Sequence, residues 1–591
     1  MKPLATSFLT ALASAAVLGL IPGALAHGDD MDMNMGEADK PKPEDQYPPT
    51  YFALAEHGGL IYGHIALMVL AWVFVLPVAV LAVMLSIARS RHRLLAQFIF
   101  LAANAGGVLL GAIYNASTPD LYPNNAHHKI GWIATWLIGA QGVVGLLASV
   151  AGILKRRAPD RASRDGERQS FIPVSTEAIA EHESRFPKAF RFSNDSGQGT
   201  EPNTESLRSH SLSGADSPPI PLRDVRSEYK EADDDEVSLV DIPLVPRSGV
   251  ARIVVQKAAQ VISSRFWKVL MFGYNFVDRT SLILGFIALC TGLITFCRFF
   301  EGDAVFTGLA HWIKGGIFFW LGILTLGRWA GSFGELGWAW NIRPKQAGQK
   351  WRPSAEFVES ALIFFYGSTN IFLEHLGGWG GAWSAQDLEH VSITVLFIGG
   401  GLCGMLIEST RIRDLLNATV TEAANASPDH VHQDEERNEL QEPQTYRFSM
   451  NPIPALVILL LGIMMSSHTQ ESMVSSMIHK QWGNLLTGAS FARAFTYVLI
   501  YLKPPTSIYP SRPPTELLTA FGLISGGIIF MASLTIQSGD TVDGMIHYQL
   551  DAMFMYTVTM GFVGLLMAWV IMVVALKGWA VRREAAASFG R

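Results

Sequence analysis

The sequence predicts an all-α fold: a polytopic membrane helical bundle of about eleven transmembrane helices behind a cleaved signal peptide. Three observations lead there. Only 16% of the 591 residues are charged and 49% are hydrophobic, whereas soluble globular chains are about a quarter charged. Apolar runs of about 20 residues, long enough to cross a bilayer as helices, recur along the chain. Basic residues gather at alternate run ends, which sets an orientation.

The elements follow in order. Residues 1–26 read as the signal: Lys2 is the charged start, "FLTALASAAVLGLIPG" the apolar region and "ALA" at 24–26 the cleavage pattern. Residues 27–55 are a tail opening "HGDDMDMNMGEAD". Residues 56–154 form a membrane domain with spans at roughly 60–87, 94–115 and 128–154. The linker 155–278 is rich in Ser, Pro, Asp, Glu and Arg; its "SLRSHSLSGADSPP" suits a disordered cytosolic segment open to kinases or other partners, or a passive tether. Residues 279–580 carry the remaining spans, roughly 280–297, 306–327, 357–376, 391–409, 452–468, 484–502, 515–536 and 552–576. A polar loop, 410–450, interrupts them, and 581–591 form a tail.

Basic clusters follow alternate spans: "RSRHR" at 89–93, "KRR" at 155–157, Arg328 to Lys350, Arg411 and Arg413, Lys503, then Lys577, Arg582 and Arg583. All share one side, which the positive-inside rule makes the cytosol. The N-terminus is then lumenal or extracellular and the C-terminus cytosolic. The signal places the chain in the secretory pathway: endoplasmic reticulum, Golgi, vacuole or plasma membrane.

The sixteen histidines divide unevenly. His92, His182, His210, His430 and His432 fall on the cytosolic side and His27 in the tail. His57, His64, His127, His128, His311, His375, His390, His468, His479 and His547 all fall at lumenal span ends or in lumenal loops. Glu56, Glu374, Asp387, Glu389 and Glu471 neighbour some of them. Imidazole and carboxylate together hold zinc, copper or iron, and Met-x-Met-x-Met suits cuprous ion. The candidate metal ligands are therefore His27, Met31, Met33, Met35, His375, His390, His468, Glu471, His479 and His547. On one helix His468 and His479 would stand about 16 Å apart, too far to share an ion. Intramembrane charges add candidates: Lys314, Glu359 and Arg493, the last two as a functional group or a structural ion pair.

"YGHIALMVLAWVFVLPVAVL", "RSRHRLLAQFIFLAANAGGVLLG" and "NNAHHKIGWIATWLIGAQGVVGLL" resemble the core of cytochrome b561-type membrane proteins, through His64, Trp72, Pro77, Gln97 and "HHKIGW". The resemblance implies heme b held by His64 and His127. It implies one heme and not two. Arg93 stands where the family has its next histidine, and the 155–278 linker replaces the following helix. The whole order, with "FFYGSTNIFLEH", "DLEHVSI" and "SSMIHKQWG", is similar to the fungal YTP-like integral membrane proteins. That resemblance implies a membrane protein without assigning an activity.

Three functions follow: handling of copper, zinc or iron at the lumenal rim; single-heme redox chemistry; or a non-catalytic scaffold acting through the linker. Membrane lipid and a metal ion are the expected partners. No nucleotide loop, hydrolase elbow or nucleic-acid patch is present, so no nucleic acid is expected. Cys290, Cys297 and Cys403 form neither a CxxC site nor a disulfide framework.

Overall fold

The structure, a computed structural model, describes residues 50–79, 91–157, 265–300, 304–344, 353–371, 381–425, 442–467, 473–533 and 552–589. Among them are helices and no strands. Contacts divide the chain into a membrane unit (Met1–Ala148, Val237–Val240 and Ser263–Arg591) and a second unit (Ser149–Glu236 and Asp241–Ile262). Of the second, only the end of one helix is described.

The membrane unit begins with α1 (Gly58–Val69), which runs into a π-helical turn at Leu70–Val75. Its cause is Pro77. Proline has no N–H for the carbonyl of Val73 and its ring crowds that carbonyl, so the helix widens just before it. The freed Val73 oxygen accepts a hydrogen bond from Trp569 Nε1 at 3.1 Å. Trp569→Phe should therefore cost about 1–2 kcal/mol, read as a lower melting temperature in detergent.

Next come α2 (Arg91–Ser117), α3 (Ala126–Arg157) and α4 (Arg265–Cys297). These three pack with α1 around Ala71, Leu76, Phe100 and Ile138, against Val277 and Leu282 of α4. Trp72 donates to buried Asn104 at 2.9 Å, and Gly285 of α4 abuts the Trp72 ring. The fourth helix of this bundle is thus α4, although the long linker separates it from α3 in sequence. It also begins earlier than expected: residues 265–278, read as linker, are its first turns. Asp278 and Arg279 made that stretch look polar, yet Asp278 is buried and accepts a bond from Gln141 of α3 at 3.2 Å.

The remaining helices are α5 (Ala304–Ala330), α6 (Ala355–Asn370), α7 (Ala385–Glu408), α8 (Thr410–Asn425), α9 (Ile453–Ser467), α10 (Met473–Leu502), α11 (Pro514–Ala532) and α12 (Ala552–Phe589). Residues 410–425 of the expected polar loop are thus helical as α8. Eight described stretches are long and apolar enough to cross a bilayer. The other three expected spans are also helical, but α6 and α9 are 16 and 15 residues in their described parts.

Small residues let these helices touch, as lipid-embedded packing requires. A Cβ at Gly315 of α5 would lie 2.6 Å from the Gly527 carbonyl oxygen of α11. One at Gly462 of α9 would lie 2.8 Å from the Gly483 carbonyl of α10. At the centre Trp482 stacks on Phe530, ring centres 3.9 Å apart.

Where α5 ends, charges are buried. Arg328 binds Glu356 at 2.8 Å and Glu359 at 3.0 Å; Arg493 binds Glu359 at 3.3 Å and Glu516 at 2.8 Å. The loop after α5 closes over them. Gly331 turns the chain at φ 103°, the Trp338 carbonyl accepts from Arg328 Nε at 2.8 Å, and Trp340 lies under the guanidinium. The expected Glu359–Arg493 pair therefore exists within a larger cluster.

Candidate metal centre

The ends of α1, α2, α3 and α4 opposite the Pro77 turn bring two histidines together. His64 sits in the second turn of α1 and His127 in the first turn of α3. Their ring centres are 6.2 Å apart and their planes are inclined at 77°. Both are half-buried.

Neighbouring oxygens fix their proton positions. A carbonyl can only accept, so the 2.8 Å contact from His64 Nδ1 to the Gly107 oxygen puts the proton on Nδ1. Thr291 Oγ1 spends its own proton on the Ile287 carbonyl at 2.9 Å. It therefore accepts from His127 Nδ1, at a long 3.4 Å. Both rings then carry their lone pair on Nε2. Metal-binding histidines are held in this way, with the second nitrogen donating to an oxygen. Two imidazoles sharing one ion through bonds of about 2.0–2.1 Å have centres roughly 5–6.5 Å apart. The observed separation lies in that range.

Glycines make room for the rings. A Cβ at Gly111 of α2 would lie 2.7 Å from His64 Nδ1, and one at Gly292 of α4 would lie 3.1 Å from His127 Cε1. Gly111→Ala should push the His64 ring off the Gly107 carbonyl and weaken metal binding about 10–100-fold, measured by competition with a chromophoric chelator.

A second pair forms at the same end of the bundle. His311 of α5 and His479 of α10 have ring centres 5.9 Å apart, with Phe530 packed on both. His479 is buried, and its Nδ1 donates to the Ser475 carbonyl at 2.9 Å. From His311 to Arg328 along α5, and from His479 to Arg493 along α10, is about 20–25 Å at 1.5 Å per residue, most of a bilayer core.

Comparison with known proteins places this architecture. Residues 284–578 match the family model "Protein YTP1-like, C-terminal", and residues 45–151 match "Domain of unknown function (DUF2427)". An uncharacterized membrane protein of Schizosaccharomyces pombe is 34% identical over 88% of this chain and 94% of its own length. The chain belongs to the YTP1-like family of membrane proteins. An uncharacterized membrane protein of Saccharomyces cerevisiae is 38% identical over 61% of this YTP1-like chain and 57% of its own length. Protein YTP1 of the same yeast is 23% identical over 48% of this chain and 51% of its own. No solved structure matches.

In this YTP1-like chain the expected site residues separate. His64 and His127 meet each other, and His479 meets His311. His390 is half-buried in the second turn of α7. Its neighbour Asp387 caps that helix, accepting from the Ser384 N–H at 2.9 Å. His27, Met31, Met33, Met35, His375, His468, Glu471 and His547 lie outside the described residues. Among the described residues no group of three or more His, Cys, Asp or Glu is placed to hold a metal. Gly107, Gly111, Thr291 and Gly292 were not foreseen. Their only sequence signal is small or hydroxyl residues near a span end.

The heme implied by the b561-like motif needs more than two axial nitrogens. The separation of His64 and His127 suits axial ligation, and the helices pack closely beside the rings. A Cβ at Gly107 would meet Met68 at 3.0 Å, so α1 and α2 touch beside the rings, and Gly292 lies against the His127 ring.

Proposed function

We propose that this chain binds a transition-metal ion, copper or zinc, at the lumenal face of its membrane, with His64 and His127 as ligands. The observation that supports this most is the His64–His127 pair, 6.2 Å apart, with both Nδ1 atoms engaged by oxygens. Imidazole nitrogens suit zinc, copper, iron and nickel, and thioethers in the tail favour cuprous ion. The remaining coordination positions fall to water or to the lumenal residues His27, Met31, Met33 and Met35. The His311–His479 pair is a second station at the same face.

The test is metal content. Full-length protein purified in detergent, loaded with cuprous or zinc ion and washed through a chelating column, should retain at least one ion per chain. Retention of none overturns the proposal. A second reading, one b-type heme on the same two histidines, draws on their separation alone. A Soret band in protein expressed with heme supply would favour it over the ion.

A further inference from the structure

The buried charges at the far ends of α5 and α10 play no part in the metal site, and they do not balance. Arg328 and Arg493 bring two positive charges; Glu356, Glu359 and Glu516 bring three negative ones. All five residues are 5% exposed or less. Among the described residues, the cations acting on these carboxyls are Arg328 and Arg493. Thr325 on α5 accepts from Arg493 at 3.1 Å, and Thr496 on α10 bonds Thr515 on α11 at 2.6 Å. Tyr497 on α10 and Ser360 on α6 are buried, and among the described residues their hydroxyls meet no hydrogen-bond partner. Glu408 of α7 is a further carboxyl, bound to Ser354 and Ser449 at 2.6 Å each, with Arg413 near it.

An unmatched negative charge in an apolar enclosure is strongly disfavoured, and a carboxylate placed there takes up a proton instead. We propose that this cluster binds one exchangeable proton, carried on Glu516. The division of donors selects that residue. Glu359 accepts from both guanidiniums, at 3.0 and 3.3 Å, and Glu356 accepts from Arg328 Nη2 at 2.8 Å. Of the guanidinium N–H groups Glu516 meets one, Arg493 Nε, which lies 2.8 Å from Oε1 and 2.9 Å from Oε2, and the Thr496 hydroxyl stands beside it. One N–H serves one oxygen well. It satisfies Oε2, and Oε1 is left without a hydrogen bond although Glu516 is 0% exposed. With Glu516 neutral, two carboxylates face two guanidiniums. The step is proton binding alone: the carboxylate becomes a carboxylic acid and no other bond changes. A carboxyl that gains and loses a proton inside a membrane bundle is a functional element of proton relays.

Infrared spectroscopy of the full chain in lipid nanodiscs at pH 7 tests this. The wild-type spectrum should contain the carbonyl stretch of a protonated carboxylic acid that shifts in D2O. That band should be lost in Glu516→Gln and kept in Glu408→Gln. Glutamine mimics the neutral acid, so Glu516→Gln should melt as the wild type does, whereas Glu359→Gln should melt lower. A wild-type spectrum without the band, a band that survives Glu516→Gln, or equal destabilisation by the two glutamines overturns the proposal.

Discussion

Arg493→Met should lower the stability of the chain by about 3–5 kcal/mol, the cost of leaving buried charge without its partner. The guanidinium reaches three helices at once: Glu516 on α11 through Nε, Glu359 on α6 through Nη1 and Thr325 on α5 through Nη2. Removing it leaves Glu356 and Glu359 sharing Arg328 and strips Glu516 of its guanidinium. Arg493→Lys should rescue little, because one ammonium cannot serve a forked set of acceptors. Adding Glu359→Gln to Arg493→Met should recover part of the loss, because it removes the stranded charge. Thermal unfolding in detergent, followed by size-exclusion fluorescence, measures all three variants. A melting temperature for Arg493→Met equal to wild type would show that the cluster does not hold these helices together.

Replacing His64 and His127 together by alanine should reduce metal affinity at least about 100-fold, or about 2.7 kcal/mol, while leaving the fold intact. Neither ring is deeply buried, and each rests on a glycine face, so truncation opens little core. The single variants separate the roles. Each should lose most of the affinity, since one imidazole lacks the chelation that two provide. His57→Ala is the control: it is exposed at the start of α1, and no binding should be lost. Elemental analysis and chelator competition read the result.

The apolar helices, and the common end shared by His64, His127, His311 and His479, were legible in the sequence, because both depend on local runs and on charge near their ends. The pairing of histidines was not. His64 meets His127 across 63 positions, and His311 meets His479 across a still longer stretch of chain. A span end records which side a residue occupies but not which neighbouring helix it faces. His390 was a candidate with Asp387 as its acidic neighbour, yet Asp387 is engaged in a helix cap. At the other end Glu359 and Arg493 were readable as a pair, since a charge inside an apolar run demands a partner. Arg328 was read as a flanking basic residue because it closes its run, and only the loop folding back through Trp338 and Trp340 encloses it. Glu516, just after Pro513 and Pro514, resembles any acidic residue in a helix's first turn. Its burial arises from packing with α10 and leaves no local mark.

X-ray absorption at the edge of the ion bound to the full-length protein tests the central claim most directly. The account predicts two imidazole nitrogens at about 2.0–2.1 Å, a signature lost from the His64 and His127 double alanine variant. A spectrum without imidazole scattering, or one unchanged in that variant, would contradict it.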